Sequence, residues 1–74
     1  MNIPEFKSTN EAYDYGIIAS DEQCKILSEL REVFKEKCTR CIDEEKWNKA
    51  SIYATKSQFC REAIEAHSGQ LVIH

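Results

Sequence analysis

From Asp21 onward, apolar side chains recur at Cys24, Ile26, Leu27, Leu30, Val33, Phe34, Cys38, Cys41 and Ile42. The steps 24-27-30-34-38-41 keep the three–four rhythm of one helical face, and Ile26, Leu30 and Val33 widen that stripe. The spacing predicts a helix over 21–42. Ser20, followed three residues later by Gln23, supplies a capping box at its start, where Asp21 and Glu22 also suit the positive end of the helix dipole. Asp21/Lys25 and Glu36/Arg40 are acid-then-base pairs one turn apart, each adding about 0.3 kcal/mol.

A second periodic stretch places Trp47, Ala50, Tyr53, Ala54, Ser57, Cys60 and Ile64 on one face. It predicts a helix over 44–66, capped by Asp43, carrying Glu44 and Glu45 in its first turn and ending at Ser68-Gly69. A short helix over 9–15 is expected from the box Ser8-x-x-Glu11, with Gly16 in the left-handed position after it and Ile17 making the apolar contact that follows. Residues 1–8 read as an extended lead-in anchored by Pro4 and Phe6. Residues 67–74 read as a tail whose Leu71-Val72-Ile73-His74 is expected to dock in extended form.

An unbroken helix from 21 to 66 would be about 69 Å long with nothing to cover it. A hairpin turning near residue 44 is therefore expected, although no Gly or Pro lies between 42 and 47. In such a hairpin, positions at equal depth sum to about 88, given the 1.5 Å rise per residue. Phe34 then faces Ala54 and Cys38 faces Ala50, so large residues meet small ones. Trp47 is expected beside Cys41, closing the turn with a sulfur–aromatic contact.

The expected fold is all-α: one domain over 1–74, a short N-terminal helix laid on a long antiparallel hairpin. Ile26, Val33, Ile52, Phe59 and Ala63 fall off the inner seam as a second apolar stripe that the short helix covers only in part. Such a stripe reads as an interface, first of all for a two-fold homodimer that completes a four-helix bundle, with an unidentified protein partner as the alternative.

Composition narrows the possible roles. Thirteen acidic against ten basic residues leave a net charge of -3, which disfavours a nucleic-acid binder held by phosphate neutralisation. The longest apolar runs are three residues, far from the ~20 that span a membrane. Residues 1–5 have neither the basic start nor the apolar stretch of a signal peptide, so the expected compartment is cytoplasmic and reducing, with the four cysteines as thiols.

Cys38-Thr39-Arg40-Cys41 is the one motif with metal or redox precedent. Two thiolates at this spacing can hold one face of a tetrahedral zinc ion if two more ligands arrive. The remaining candidates are Cys24, Cys60, His67 and His74. In the hairpin, Cys60 sits about 15 Å or more along the axis from Cys38, and a dithiol near a helix C-terminus lacks the dipole that stabilises a thiolate. The pair is therefore expected in the core, with no cofactor. His67 shares a face with Cys60 but stands about 10.5 Å from it. Adjacent carboxylates such as Glu44 and Glu45 diverge by about 100° on a helix. No phosphate-binding or nucleophile-elbow motif occurs, so an enzyme is not expected. Lys46 and Lys49 fall near Arg40 across the turn, but Asp43, Glu44 and Glu45 share that end, which reads as mixed-charge surface.

The stretch from Ala54 to Ile64 loosely resembles the second helix of ribbon-helix-helix repressors, whose alternating basic strand has no counterpart in residues 1–20. The expected function is a small acidic interaction module or accessory subunit. The alternatives are a metal- or redox-responsive protein using Cys38 and Cys41, and a small transcriptional regulator.

Overall fold

A computed structural model describes residues 5–69, which form three helices: α1 (Thr9–Ile18), α2 (Asp21–Asp43) and α3 (Trp47–Gly69). The described residues contain no strand. No helix among them is long and apolar enough to cross a membrane. The expected docking of residues 71–74 and the anchoring by Pro4 lie outside the described residues.

The start of α2 follows its sequence signal in full. Ser20 Oγ accepts the Gln23 backbone N–H at 3.1 Å, and the Gln23 side chain accepts the Ser20 N–H at 2.8 Å, so two N–H groups without intrahelical partners are satisfied reciprocally. At α1 the box is displaced by one residue. Ser8 Oγ accepts from the Glu11 N–H at 3.3 Å, while the Glu11 carboxylate takes the N–H of Lys7 at 3.2 Å.

Gly16 departs from expectation. It does not end α1 in a left-handed conformation; no glycine among the described residues has positive φ, and the helix continues to Ile18. Its lack of a side chain serves packing. A Cβ at Gly16 would overlap the carbonyl oxygen of Ala63 and lie 2.8 Å from its carbonyl carbon. Here α1 presses on the backbone of α3.

The turn between α2 and α3 also differs. Asp43 is the last residue of α2 rather than the cap of α3, and Glu44 and Glu45 belong to the turn. The Lys46 N–H reaches back to the Cys41 carbonyl at 2.7 Å and the Glu45 N–H to that of Ile42 at 3.0 Å. These are the two bonds of a Schellman motif, with Glu45 at the left-handed position, φ 60°. The reversal therefore needs no glycine, but it holds a residue with a Cβ where glycine is favoured. α3 then starts at Trp47, its first turn closed by the Ala50 N–H on the Lys46 carbonyl at 2.9 Å.

The hairpin register matches the expected depth sum of 88 along its whole length. The Cys38 thiol donates to the Ala50 carbonyl at 3.3 Å, Ser57 Oγ contacts the Arg31 carbonyl at 3.5 Å, and Asp21 Oδ1 meets His67 Nε2 at 2.8 Å. Phe34 stacks on Tyr53, with ring centroids 6.2 Å apart, one position from the expected Ala54. Small residues on α3 permit this close approach. Trp47 does not close the turn as expected: 61% of its surface is exposed at the start of α3.

The core lies at the root of the hairpin. Ala12, Leu27, Cys60 and Ala63 are its buried centre, flanked by Phe6, Tyr15, Leu30, Phe34, Phe59 and Ile64. Phe6 meets both Tyr15 and Phe59 edge-on, at 5.4 and 6.5 Å between centroids, and so anchors the lead-in. α1 packs on α3. Ten residues of α1 span about 15 Å, against about 34 Å for each hairpin helix. α1 thus covers the root, and among the described residues no third helix lies over the tip half of α2 and α3.

Candidate functional site

The cysteines do not assemble a site. Cys41 is buried and Cys38 half-buried, its thiol directed at the Ala50 carbonyl, and all four cysteines are free. The described residues hold no group of three or more Cys, His, Asp or Glu arranged for a metal ion. His74 lies outside them. Burial pushes the Cys60 thiol up from its ordinary value. Cys24 is raised first by burial and then by the nearby Asp21 carboxylate. Both shifts oppose thiolate formation, the opposite of what a nucleophilic or redox cysteine needs.

His67 pairs with Asp21 across the open end of the hairpin, a contact the sequence reading missed. The depth rule carried the signal, since 21 and 67 also sum to 88. The carboxylate is fully exposed and the imidazole largely buried, which makes this a clasp between α2 and α3 at their far ends.

The five residues expected to form an apolar interface divide into two groups. Ala63 is fully buried beneath Gly16, inside the fold rather than on a free face. The expectation had α1 covering less of α3 than it does. Phe59 is half-buried against Phe6, and Ile26 is also half-buried. Val33 and Ile52 remain exposed, at 42% and 54%. Both lie in the tip half that α1 does not reach.

Basic side chains gather around these two. Val33 is followed one turn later by Lys37 and two turns later by Arg40, and Ile52 stands one turn from Lys49 and one from Lys56. The Lys37 ammonium sits over the Tyr53 ring at 5.6 Å, and that of Lys56 over Phe34 at 5.7 Å. The stacked pair Phe34/Tyr53 is thus flanked by a cation on each ring. Toward the turn, Lys37, Arg40, Lys46, Lys49 and Tyr53 line a cleft of about 200 Å³ with Cys41 and Glu44. Asp43 and Glu45, expected to dilute this charge, do not line it. Glu44 pairs with Lys46 at 3.0 Å and, with Cys41, raises the Lys46 ammonium above its ordinary value, the hydrogen bond to Glu44 acting most strongly.

A larger groove of about 530 Å³ is lined by Arg31, Lys35, Cys38, Thr39, Ala54, Ser57, Gln58 and Arg61. Two of its cations are engaged locally, Lys35 by Glu32 at 3.8 Å and Arg61 by Glu65 at 3.3 Å. Set against known protein families, curated proteins and solved structures, the chain has no match in any of the three comparisons.

Proposed function

We propose that this protein is a non-enzymatic interaction module that presents the tip half of its hairpin to an acidic helical segment of another cytoplasmic protein. The observation that carries this reading is the tip half, over which the described residues place no third helix: Val33 and Ile52 stay exposed there, Val33 one and two turns from Lys37 and Arg40, and Ile52 one turn from Lys49 and Lys56. Exposed aliphatic residues inside a charged rim have the anatomy of a protein interface. The rim favours a different chain over a second copy, because a two-fold axis through this face would bring lysines close to their own equivalents.

A photo-crosslinking side chain at position 52, in cells of the native host, tests the proposal, with position 36 on the outer face of α2 as control. One discrete adduct is expected from position 52 and its loss in Val33→Asp, with sedimentation of the purified chain giving an 8.6 kDa monomer. Identical adducts from both positions would overturn the reading. Reversible association to twice that mass, abolished by Val33→Asp, would replace it with the homodimer.

A further inference from the structure

We propose that the cleft at the turn end of the hairpin is a binding site for a phosphoryl group. It shares Lys37, Arg40 and Lys49 with the docking face, yet its test is separate, because a free anion reads the cleft without any partner. Four cations, Lys37, Arg40, Lys46 and Lys49, converge on this cleft with one carboxylate, Glu44. The local balance is +3 in a chain whose total is -3. Charge is segregated here against the trend of the whole molecule, and the Coulomb field of a concave surface is strongest inside it.

Geometry separates this cleft from ordinary basic surface. Glu44 engages Lys46 alone, and no ion pair among the described residues holds Lys37, Arg40 or Lys49. Lys37 is held over the Tyr53 ring, so part of its rotamer freedom is already lost before a ligand arrives. Lys37 and Arg40 come from the last turns of α2, and Lys46 and Lys49 from the turn and the first turn of α3. The Schellman reversal fixes the spacing between the two sets.

The chemistry favours phosphate over a lone carboxylate. Three uncompensated cations match a dianion or trianion, whereas a single carboxylate would leave two of them facing each other. Arg40 offers a planar fork for two phosphate oxygens, and each ammonium offers three donors to the remaining oxygens. A cleft of about 200 Å³ admits one or two phosphoryl groups, with Tyr53 and Cys41 as its apolar lining. The phosphoryl group can arrive on a small metabolite or on a phosphorylated side chain, and the test distinguishes these sources.

The wild-type chain, labelled with ¹⁵N, is titrated with pyrophosphate and separately with a short neutral peptide carrying one phosphoserine. Sodium chloride at matched ionic strength is the control. Saturable amide shifts confined to residues 37–49, with Kd below roughly 1 mM, are expected for at least one ligand. The ligand that binds more tightly identifies the source. The double variant Lys37→Gln/Lys49→Gln should weaken that binding at least tenfold with an unchanged spectrum elsewhere. Lys35→Gln/Arg61→Gln, in the larger groove, should leave it within twofold. Non-saturating shifts, shifts reproduced by chloride, or equal weakening by both double variants would overturn the proposal. So would equally tight binding of the same peptide with glutamate in place of phosphoserine.

Discussion

At the scale of single residues, this fold turns on a glycine and a thiol whose roles are set by what lies against them. Gly16 sits in the middle of α1, where alanine would gain about 1 kcal/mol of helix propensity. The opposing cost is larger, because the new Cβ meets the backbone of Ala63, which cannot swing aside as a side chain would. Forced overpacking costs about 1–3 kcal/mol and occasionally more. Gly16→Ala is therefore expected to destabilise the protein by about 2 kcal/mol in urea unfolding, and an unchanged midpoint would show that α1 does not press on α3 as described. Cys60 contributes through its burial. Its folded pKa is raised, so the native state keeps the proton where the unfolded chain releases it, and stability falls as pH rises. The contribution is complete at pH 7–8 and is lost above about pH 9, where the unfolded thiol ionises. Urea midpoints of the wild type and Cys60→Ala should differ by a constant amount up to pH 8 and converge toward pH 10. A constant difference across the whole range would rule out this linkage.

At the scale of elements, the helices and their pairing were largely legible in the sequence, and their ends were not. The periodicity over 24–42 and 47–64 located α2 and α3, and the depth sum of 88 anticipated the contacts Cys38–Ala50 and Arg31–Ser57. Periodicity works here because helix-to-helix depth is a property of rise per residue alone. The turn was placed correctly but built wrongly. Asp43 carries a good capping side chain, yet the chain closes α2 with backbone bonds and uses Glu45 in the left-handed region. Sequence propensity assigns that position to glycine, so Glu45 is a local conflict resolved by the burial of Cys41 and Ala50 on either side. Glu45→Gly should relieve it and raise stability by about 1 kcal/mol, a Tm increase of roughly 4–8 °C, whereas Glu45→Ala should give no gain. A lower Tm for the glycine variant would mean that Glu45 is not held at positive φ. Gly16 and Ala63 were misread for a related reason. Small residues look alike in sequence whether they end a helix, face solvent or admit a neighbouring backbone, and only the placement of α1 on α3 separates these cases. The basic cleft was half-seen: Lys46, Lys49 and Arg40 were grouped, but charges counted along the chain included Asp43 and Glu45, which do not line it.

At the scale of the whole molecule, the decisive asymmetry is that a 10-residue helix covers one half of a hairpin whose arms are 23 residues each. The root holds the buried centre Ala12, Leu27, Cys60 and Ala63, with Ala66 beside it. The tip is held mainly by the Phe34/Tyr53 stack, by Cys38 on Ala50 and by the Schellman turn. Chains of this size sit where a single core barely offsets the loss of conformational entropy. At the root, α1 covers Ala63 directly and Phe6 of the lead-in packs on Phe59. Removing residues 1–19 would expose that surface and leave two helices sharing one narrow seam, an arrangement that is marginal for helices of this length in water. The chain beginning at Ser20 is expected to lose at least half of its helical circular dichroism at 222 nm and to melt without a sigmoidal transition. The Asp21–His67 clasp and the Ser20 capping box survive that truncation, so a cooperative transition in the shortened chain would show that the hairpin carries its own stability. In the intact protein, α1 and Phe6 brace the root, and among the described residues no third helix braces the tip.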